Sequence, residues 1–162
     1  MLLVSGETMS GRLEQIWLKR ARRGVMDPVD EATLVAGKGV QDSANFGSYR
    51  QVTIISLERW LDMMAQLGAD VDPSARRAEL LVSGVDLEGS RGRLLEIGSC
   101  VLRVGGETKP CERMDEAYMG LRDVMTAQWG GGAWAEVLRG GAIRVADPVL
   151  WQRDLFSVAS GS

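Results

Sequence analysis

The stretch Glu107-Thr108-Lys109-Pro110-Cys111-Glu112-Arg113-Met114-Asp115 sets a cysteine directly after a proline, beside basic side chains, at what reads as the start of a helix. The run before it, Ser99 to Val104, reads as strand and ends in Gly105-Gly106. A cysteine at a helix N-terminus meets unpaired backbone N–H groups and the positive end of the macrodipole. Lys109 and Arg113 add positive potential. All three influences favour the thiolate, the form that attacks electrophiles and binds soft metals. Cys111 is therefore the leading candidate for chemistry. Cys100 lies in the apolar run Ser99-Cys100-Val101-Leu102 and reads as a core side chain. The spacing of the two fits no common redox motif.

The chain contains no histidine. That excludes His-based zinc sites, Ser-His-Asp triads and Cys-His dyads. Two cysteines cannot supply a four-thiolate centre either. Any general acid or base must be a carboxylate, Tyr, Lys, Cys or water. Asp42, Glu112, Asp115 and Asp147 are candidates, and surface solvation or capping is the simpler role for each. Arg50 precedes one strand-like run, and Arg76-Arg77 stands between a proline turn and another. Arginines at strand ends beside glycine loops could converge on one anion. Gly37-Lys38-Gly39 and Gly130-Gly131-Gly132 lack the spacing of a P-loop or a dinucleotide fingerprint, so neither is assigned to nucleotides.

These candidates need elements to hold them. Leu13 to Leu18 is of strand length, and Lys19-Arg20-Ala21-Arg22-Arg23-Gly24 follows as a basic turn that reads as solvated. Met26 to Val35 looks extended, and Gln51-Val52-Thr53-Ile54-Ile55 is β-branched and strand-like. Ser56 is an N-cap for a helix whose stripe is Leu57, Trp60, Leu61, Met64 and Leu67, with Gly68 as its stop. Glu79 to Ser83 is a strand, and Leu94 to Val104 holds one or two strands broken at Gly98. Glu112 to Gln128 is helical in character and split by Gly120; Gly130 to Gly132 reads as a flexible turn. Ala133 to Leu138 and Ile143 to Val145 are short strands, and the tail after Pro148 suggests a docked helix carrying Trp151, Leu155 and Phe156. Many short strands, glycine turns and two or three helices describe a β-rich domain.

At 162 residues the chain is most simply one domain. A net charge of −3 argues against a general nucleic-acid binder. No run of ~18 apolar residues occurs, so no membrane-spanning helix is expected. Met1-Leu2-Leu3-Val4 is too short for a signal core, and Met9 is an alternative natural start. A cytoplasmic protein with reduced cysteines is expected.

Five segments in order carry a resemblance: Arg50-Gln51-Val52-Thr53-Ile54, Ala75-Arg76-Arg77-Ala78-Glu79 through Leu87, Ile97-Gly98, Pro110-Cys111-Glu112-Arg113-Met114, and Gly141-Ala142-Ile143-Arg144-Val145-Ala146-Asp147-Pro148-Val149. Together they resemble a MOSC domain, the C-terminal domain of molybdenum cofactor sulfurases that also occurs as a small stand-alone protein. The likeness runs from about Gly11 to Val149, with 150–162 as a tail. It implies a mainly β, barrel-like fold with a few peripheral helices. It implies binding of the molybdenum–pterin cofactor, with Cys111 as metal ligand or sulfur carrier. Arg50, Arg76, Arg77, Arg113 and, more weakly, Lys38 are the candidates for holding the pterin phosphate. The family often has Asn where this chain has Glu79, a Gly-Asp pair at Gln41-Asp42, and Gly at Ala146. The pyridoxal-phosphate domain of the large sulfurases has no room here, so no Schiff-base lysine is expected.

Three functions follow from the resemblance. One is a small molybdenum-dependent reductase of N-hydroxylated compounds, fed by a separate electron-donor protein. The second is a persulfide sulfur carrier served by a sulfur-donor protein. The third is a non-catalytic cofactor-binding module. Glu79 places a negative charge near the proposed anion site and leans toward the last two.

Overall fold

The computed structural model describes residues 11–152. Seven strands close into a barrel in the order β11-β7-β8-β9-β5-β6-β1, with β1 pairing back to β11. They are β1 (Gly11–Lys19), β5 (Val52–Ser56), β6 (Leu80–Ser83), β7 (Leu94–Ile97), β8 (Cys100–Glu107), β9 (Ala133–Arg139) and β11 (Pro148–Trp151). Every neighbour in the ring is antiparallel except β5 and β6. A parallel pair needs a crossover. Here the crossover includes α1 (Leu57–Leu67), packed outside the barrel.

β5 lies between the barrel interior and that outer layer, so all five of its residues are buried. Its β-branched run is what such a two-sided strand requires. β1 is longer than the barrel needs. Its first residues pair with β11 and those from Arg12 to Ile16 with β6, whereas Trp17 to Lys19 run past the barrel and, with Ile16, pair with β2 (Met26–Val29). Lys19 therefore ends a strand and is half-buried, although its basic neighbours suggested a solvated turn. A smaller sheet joins β3 (Glu31–Val35), β4 (Gly39–Val40) and β10 (Gly141–Arg144).

The barrel core is aliphatic: Leu13, Ile16, Ile54, Leu80, Leu95, Ile97 and Leu102 are all fully buried within it. A second core lies under the helices. Trp60, Met63 and Met64 of α1 meet Met114 of α2 (Arg113–Ala117), and Leu121 and Met125 of α3 (Leu121–Met125). The Ser56 hydroxyl accepts from the Arg59 N–H, and Gly68 ends α1 in the left-handed conformation, as its sequence predicts. The buried stripe is rotated from the predicted one. Leu61 is exposed, and Met63 takes its place against the helix layer.

Two expectations are corrected. Gly130, Gly131 and Gly132 are buried and tightly packed, not a flexible turn. Trp151 belongs to strand β11 because β11 closes the barrel between β1 and β7; Leu155 and Phe156, like Met9, lie outside the described residues. No helix among the described residues is long and apolar enough to cross a membrane.

The turn from β10 to β11 holds Ala146 at φ +86°, with its N–H donating to the Leu13 carbonyl at 2.7 Å. A Cβ is strained in that region, by roughly 1–2 kcal/mol. Ala146→Gly should remove the strain and raise stability by about 1 kcal/mol, less the entropy glycine adds to the unfolded chain. Urea unfolding of the two proteins checks this; a lower midpoint for the glycine variant would contradict it.

Candidate functional site

β8 ends at Glu107, and the segment Thr108-Lys109-Pro110-Cys111 crosses to α2. Cys111 is exposed, and its carbonyl accepts from the Met114 N–H at 3.0 Å. α2 has only five residues, too short for a developed macrodipole, so the expected help from a helix terminus is not supplied. A buried arginine positions the segment instead.

Arg76 closes the 3-10 turn Pro73–Arg76 and is 9% exposed. Its Nε donates to the Gly131 carbonyl at 2.9 Å. Its Nη2 donates to the carbonyls of Thr108 at 3.1 Å and Lys109 at 3.4 Å. The guanidinium therefore binds the segment before Cys111 to the glycine loop before β9. Gly131 has no alternative there, because a Cβ would collide with the Thr108 carbonyl and crowd Arg76 Nη2. Arg76 forms no ion pair among the described residues. Burial pulls its pKa down; negative charge at Cys111 opposes that shift, and Arg50 adds to it. The three groups therefore share one electrostatic neighbourhood.

Arg77 follows in the left-handed conformation, φ +65°. Its Nη1 donates to the Gly24 carbonyl and its Nη2 to those of Ala21 and Arg22, so it closes the basic turn after β1. Arg113, at the head of α2, acts electrostatically on both Arg77 and Lys19. Lys19 is pulled down in pKa chiefly by burial and also by Arg77, Arg76 and Arg113, while Glu79 pushes it up. Lys19 is thus a member of the cluster that sequence reasoning missed. Its signal was its place at the end of a strand rather than within the loop. Arg50 is exposed just before β5. Lys38 lies apart, in the β3–β4 turn, where its backbone bonds to Val35 and Gly47.

Glu79 is fully buried. Its Oε2 accepts from the Ser43 hydroxyl at 2.7 Å and its Oε1 from the Thr53 N–H at 3.0 Å. Ser43 in turn accepts from the Lys19 N–H at 3.3 Å and lines an open cleft of about 570 Å³ with Arg20, Gln41, Asp42 and Phe46. Burial pushes the Glu79 carboxyl up; the Thr53 and Ser43 donors and then Lys19 oppose it. Cys100 is fully buried, and burial, followed by Asp147, pushes its thiol up. Asp147 accepts from the Arg144 N–H in a turn, and Asp115 caps the α2–α3 connection through the N–H groups of Gly120 and Arg122. Among the described residues, no group of three or more Cys, Asp and Glu side chains is arranged to hold a metal ion.

The Glu79 shift fixes a sign. The unfolded carboxyl ionises in the ordinary acid range, whereas the folded one holds its proton to higher pH. Its contribution to stability is complete below the unfolded value and is lost as pH rises through the folded one. Glu79→Gln should therefore gain stability relative to the wild type as pH is raised from acid to neutral. Urea unfolding across that range tests it, and a pH-independent difference would contradict it.

The sequence pattern of the MOSC domain matches residues 41–150 of the chain. Three crystal structures share the fold. The YUAD protein of Bacillus subtilis is 21% identical, with 86% of this chain and 94% of that one aligned at a TM-score of 0.74. YiiM of Geobacillus stearothermophilus is 13% identical, covering 88% of this chain and 75% of its own, at 0.70. YiiM of Escherichia coli is 16% identical, covering 89% and 71%, at 0.66. No functionally curated protein matches the chain. With a closed barrel, the matched segment and these neighbours in agreement, the chain belongs to the MOSC domain family.

Proposed function

We propose that this protein binds the molybdenum–pterin cofactor through Cys111 and acts as a small molybdenum-dependent reductase of N-hydroxylated compounds. The observation that carries the reading is the exposed Cys111 thiol on a segment clamped by Arg76 and flanked by cations. The family is linked to molybdenum-cofactor binding or sulfur-related function.

The residues present fit such a group. A thiolate is a soft ligand suited to molybdenum. Thr108 Oγ1, three positions before Cys111, is buried without a hydrogen-bond partner among the described residues. A buried polar atom left in that state costs free energy that a ligand could recover. Lys19, Arg50 and Arg113 supply positive potential for a phosphate, while Arg76 and Arg77 commit donors to backbone carbonyls. Arg76 and Arg77 thus orient the site, and Lys19, Arg50 and Arg113 would be left to meet a phosphate. Lys38 is a peripheral contact at most. When bound, the cofactor supplies the redox chemistry. The chain would hold it through the Cys111 thiolate, whose exposed position leaves that side of the site open to an approaching substrate. Electrons come from a separate donor protein.

The exposure of Cys111 also favours a second reading, a persulfide carrier that docks on a sulfur donor. Elemental analysis and intact mass separate the two. Protein purified anaerobically from cells able to make the cofactor should carry molybdenum. Cys111→Ser should lose it, and Cys100→Ser should keep it because that thiol is buried elsewhere in the barrel. A reducible mass increase of one sulfur atom without molybdenum would replace the reductase reading with the carrier. Equal effects of the two substitutions would overturn the site.

A further inference from the structure

The loop after β4, residues 41–48, holds no helix or strand, yet its backbone is tied down. The N–H groups of Gln41, Ser43, Ala44 and Gly47 donate to the carbonyls of Thr33, Val40, Lys19 and Lys38 at 2.9, 3.1, 2.7 and 2.7 Å. Within this loop Asp42 is held at φ +71°, a conformation that costs a non-glycine residue energy and recurs where ligands are clamped. Asp42, Ser43 and Phe46 line the open cleft of about 570 Å³ together with Arg20 and Gln41. That is an ordinary size for a small-molecule site. Arg20 is neutralised by Asp27, through bonds of 3.1 and 2.6 Å. Asp42 makes no ion pair among the described residues, so its carboxylate is the uncompensated charge of the cleft wall. Beside it, Ser43 Oγ lies 2.7 Å from Glu79 Oε2 and accepts from the Lys19 N–H at 3.3 Å. A carboxyl as buried as Glu79, with no ion pair among the described residues, is held neutral. With the proton on Oε2, Ser43 Oγ accepts from Glu79 as well, and its own hydrogen is left for the cleft.

We propose that this cleft binds the 2-amino-4-oxopyrimidine edge of a pterin, with the Asp42 carboxylate accepting from the 2-amino group and N3–H and the Ser43 hydroxyl donating to the 4-oxo oxygen. Two acceptor oxygens next to one donor, on consecutive residues, complement an edge that reads donor, donor, acceptor. Other small ligands use the cleft less completely. An amidinium would pair with Asp42 and leave the Ser43 hydrogen unmet. An anion would be repelled by Asp42. Phe46 is 40% exposed and offers a planar apolar surface for the ring, and the Arg20 guanidinium is a second flat group in the wall. Glu79 is then a positioning residue that fixes which way the Ser43 hydroxyl donates. The proposal deepens the cofactor reading above and rests on it for the identity of the ligand. Guanine carries the same edge, so the recognition chemistry is shared by the two sources.

Pterin and lumazine are suitable probes, because they are bicycles of the same shape and lumazine has an oxygen in place of the 2-amino group. Equilibrium dialysis of the full chain at neutral pH compares them. Wild type should bind pterin about 10- to 100-fold more tightly than lumazine. Asp42→Asn should reverse that order, since an amide donates to the 2-oxo oxygen and accepts from N3–H. Asparagine is at ease at positive φ, so this variant keeps the loop. Phe46→Ala should weaken both ligands by about tenfold. Glu79→Gln should keep the preference for pterin, because the amide donates to Ser43 as the protonated acid does. Absence of pterin binding, equal binding of pterin and lumazine, or a preference that Asp42→Asn leaves unchanged would overturn the edge assignment. Guanosine binding more tightly than pterin would overturn the cofactor as its source. Free pterin carries no metal and no sulfur ligand, so the measurement is independent of Cys111. Failure here leaves the molybdenum content of Cys111→Ser as the test of the cofactor reading, and failure of that test leaves the selectivity of the cleft standing.

Discussion

The site depends on one buried cation. Among the described residues the Arg76 guanidinium is buried without an ion pair and donates through Nε and Nη2 to three backbone carbonyls. Burying a charge is costly unless its hydrogen-bonding capacity is met. That cost makes the geometry specific, because the carbonyls of Thr108, Lys109 and Gly131 must converge for the arginine to stay buried. Gly131 must lack a Cβ for the same reason. The segment leading to Cys111 is therefore held by the turn before β6 as well as by its own strand β8. A solvent-exposed thiol is presented from a fixed backbone.

The charges around it form a local arrangement that the net charge of −3 conceals. Lys19, Arg50, Arg76, Arg77 and Arg113 come from four separate parts of the chain. Two of the arginines close loops, which leaves the others to meet a ligand. Glu79 sits under this positive region where the family often has a neutral Asn.

The elements were largely legible because their signals are local. The β-branched run before Ser56, the Ser56 cap and the left-handed Gly68 each depend on neighbours in sequence. The family pattern around Arg76-Arg77 and Pro110-Cys111 pointed to the barrel and to the thiol. The role of Arg76 was not legible, because its acceptors lie 32, 33 and 55 residues away. Lys19 was hidden by the exposed basic residues after it, since β1 extends past the barrel to pair with β2. Gly130 to Gly132 looked flexible because glycine permits motion, yet here it permits close packing. The helix-dipole argument for Cys111 failed because Gly120 divides the helical region into two pieces of five residues each.

The most direct measurement is amide hydrogen exchange on wild type and Arg76→Met. Exchange reports local opening against the global stability of the fold. If Arg76 holds the Cys111 segment, the amides of Thr108, Lys109, Cys111 and Glu112 and of residues 130–132 should exchange faster in the variant, while those of β5, β8 and β9 within the barrel change far less. Protection that is unchanged in the 108–112 segment, or lost uniformly through the barrel, would contradict the role assigned to this arginine.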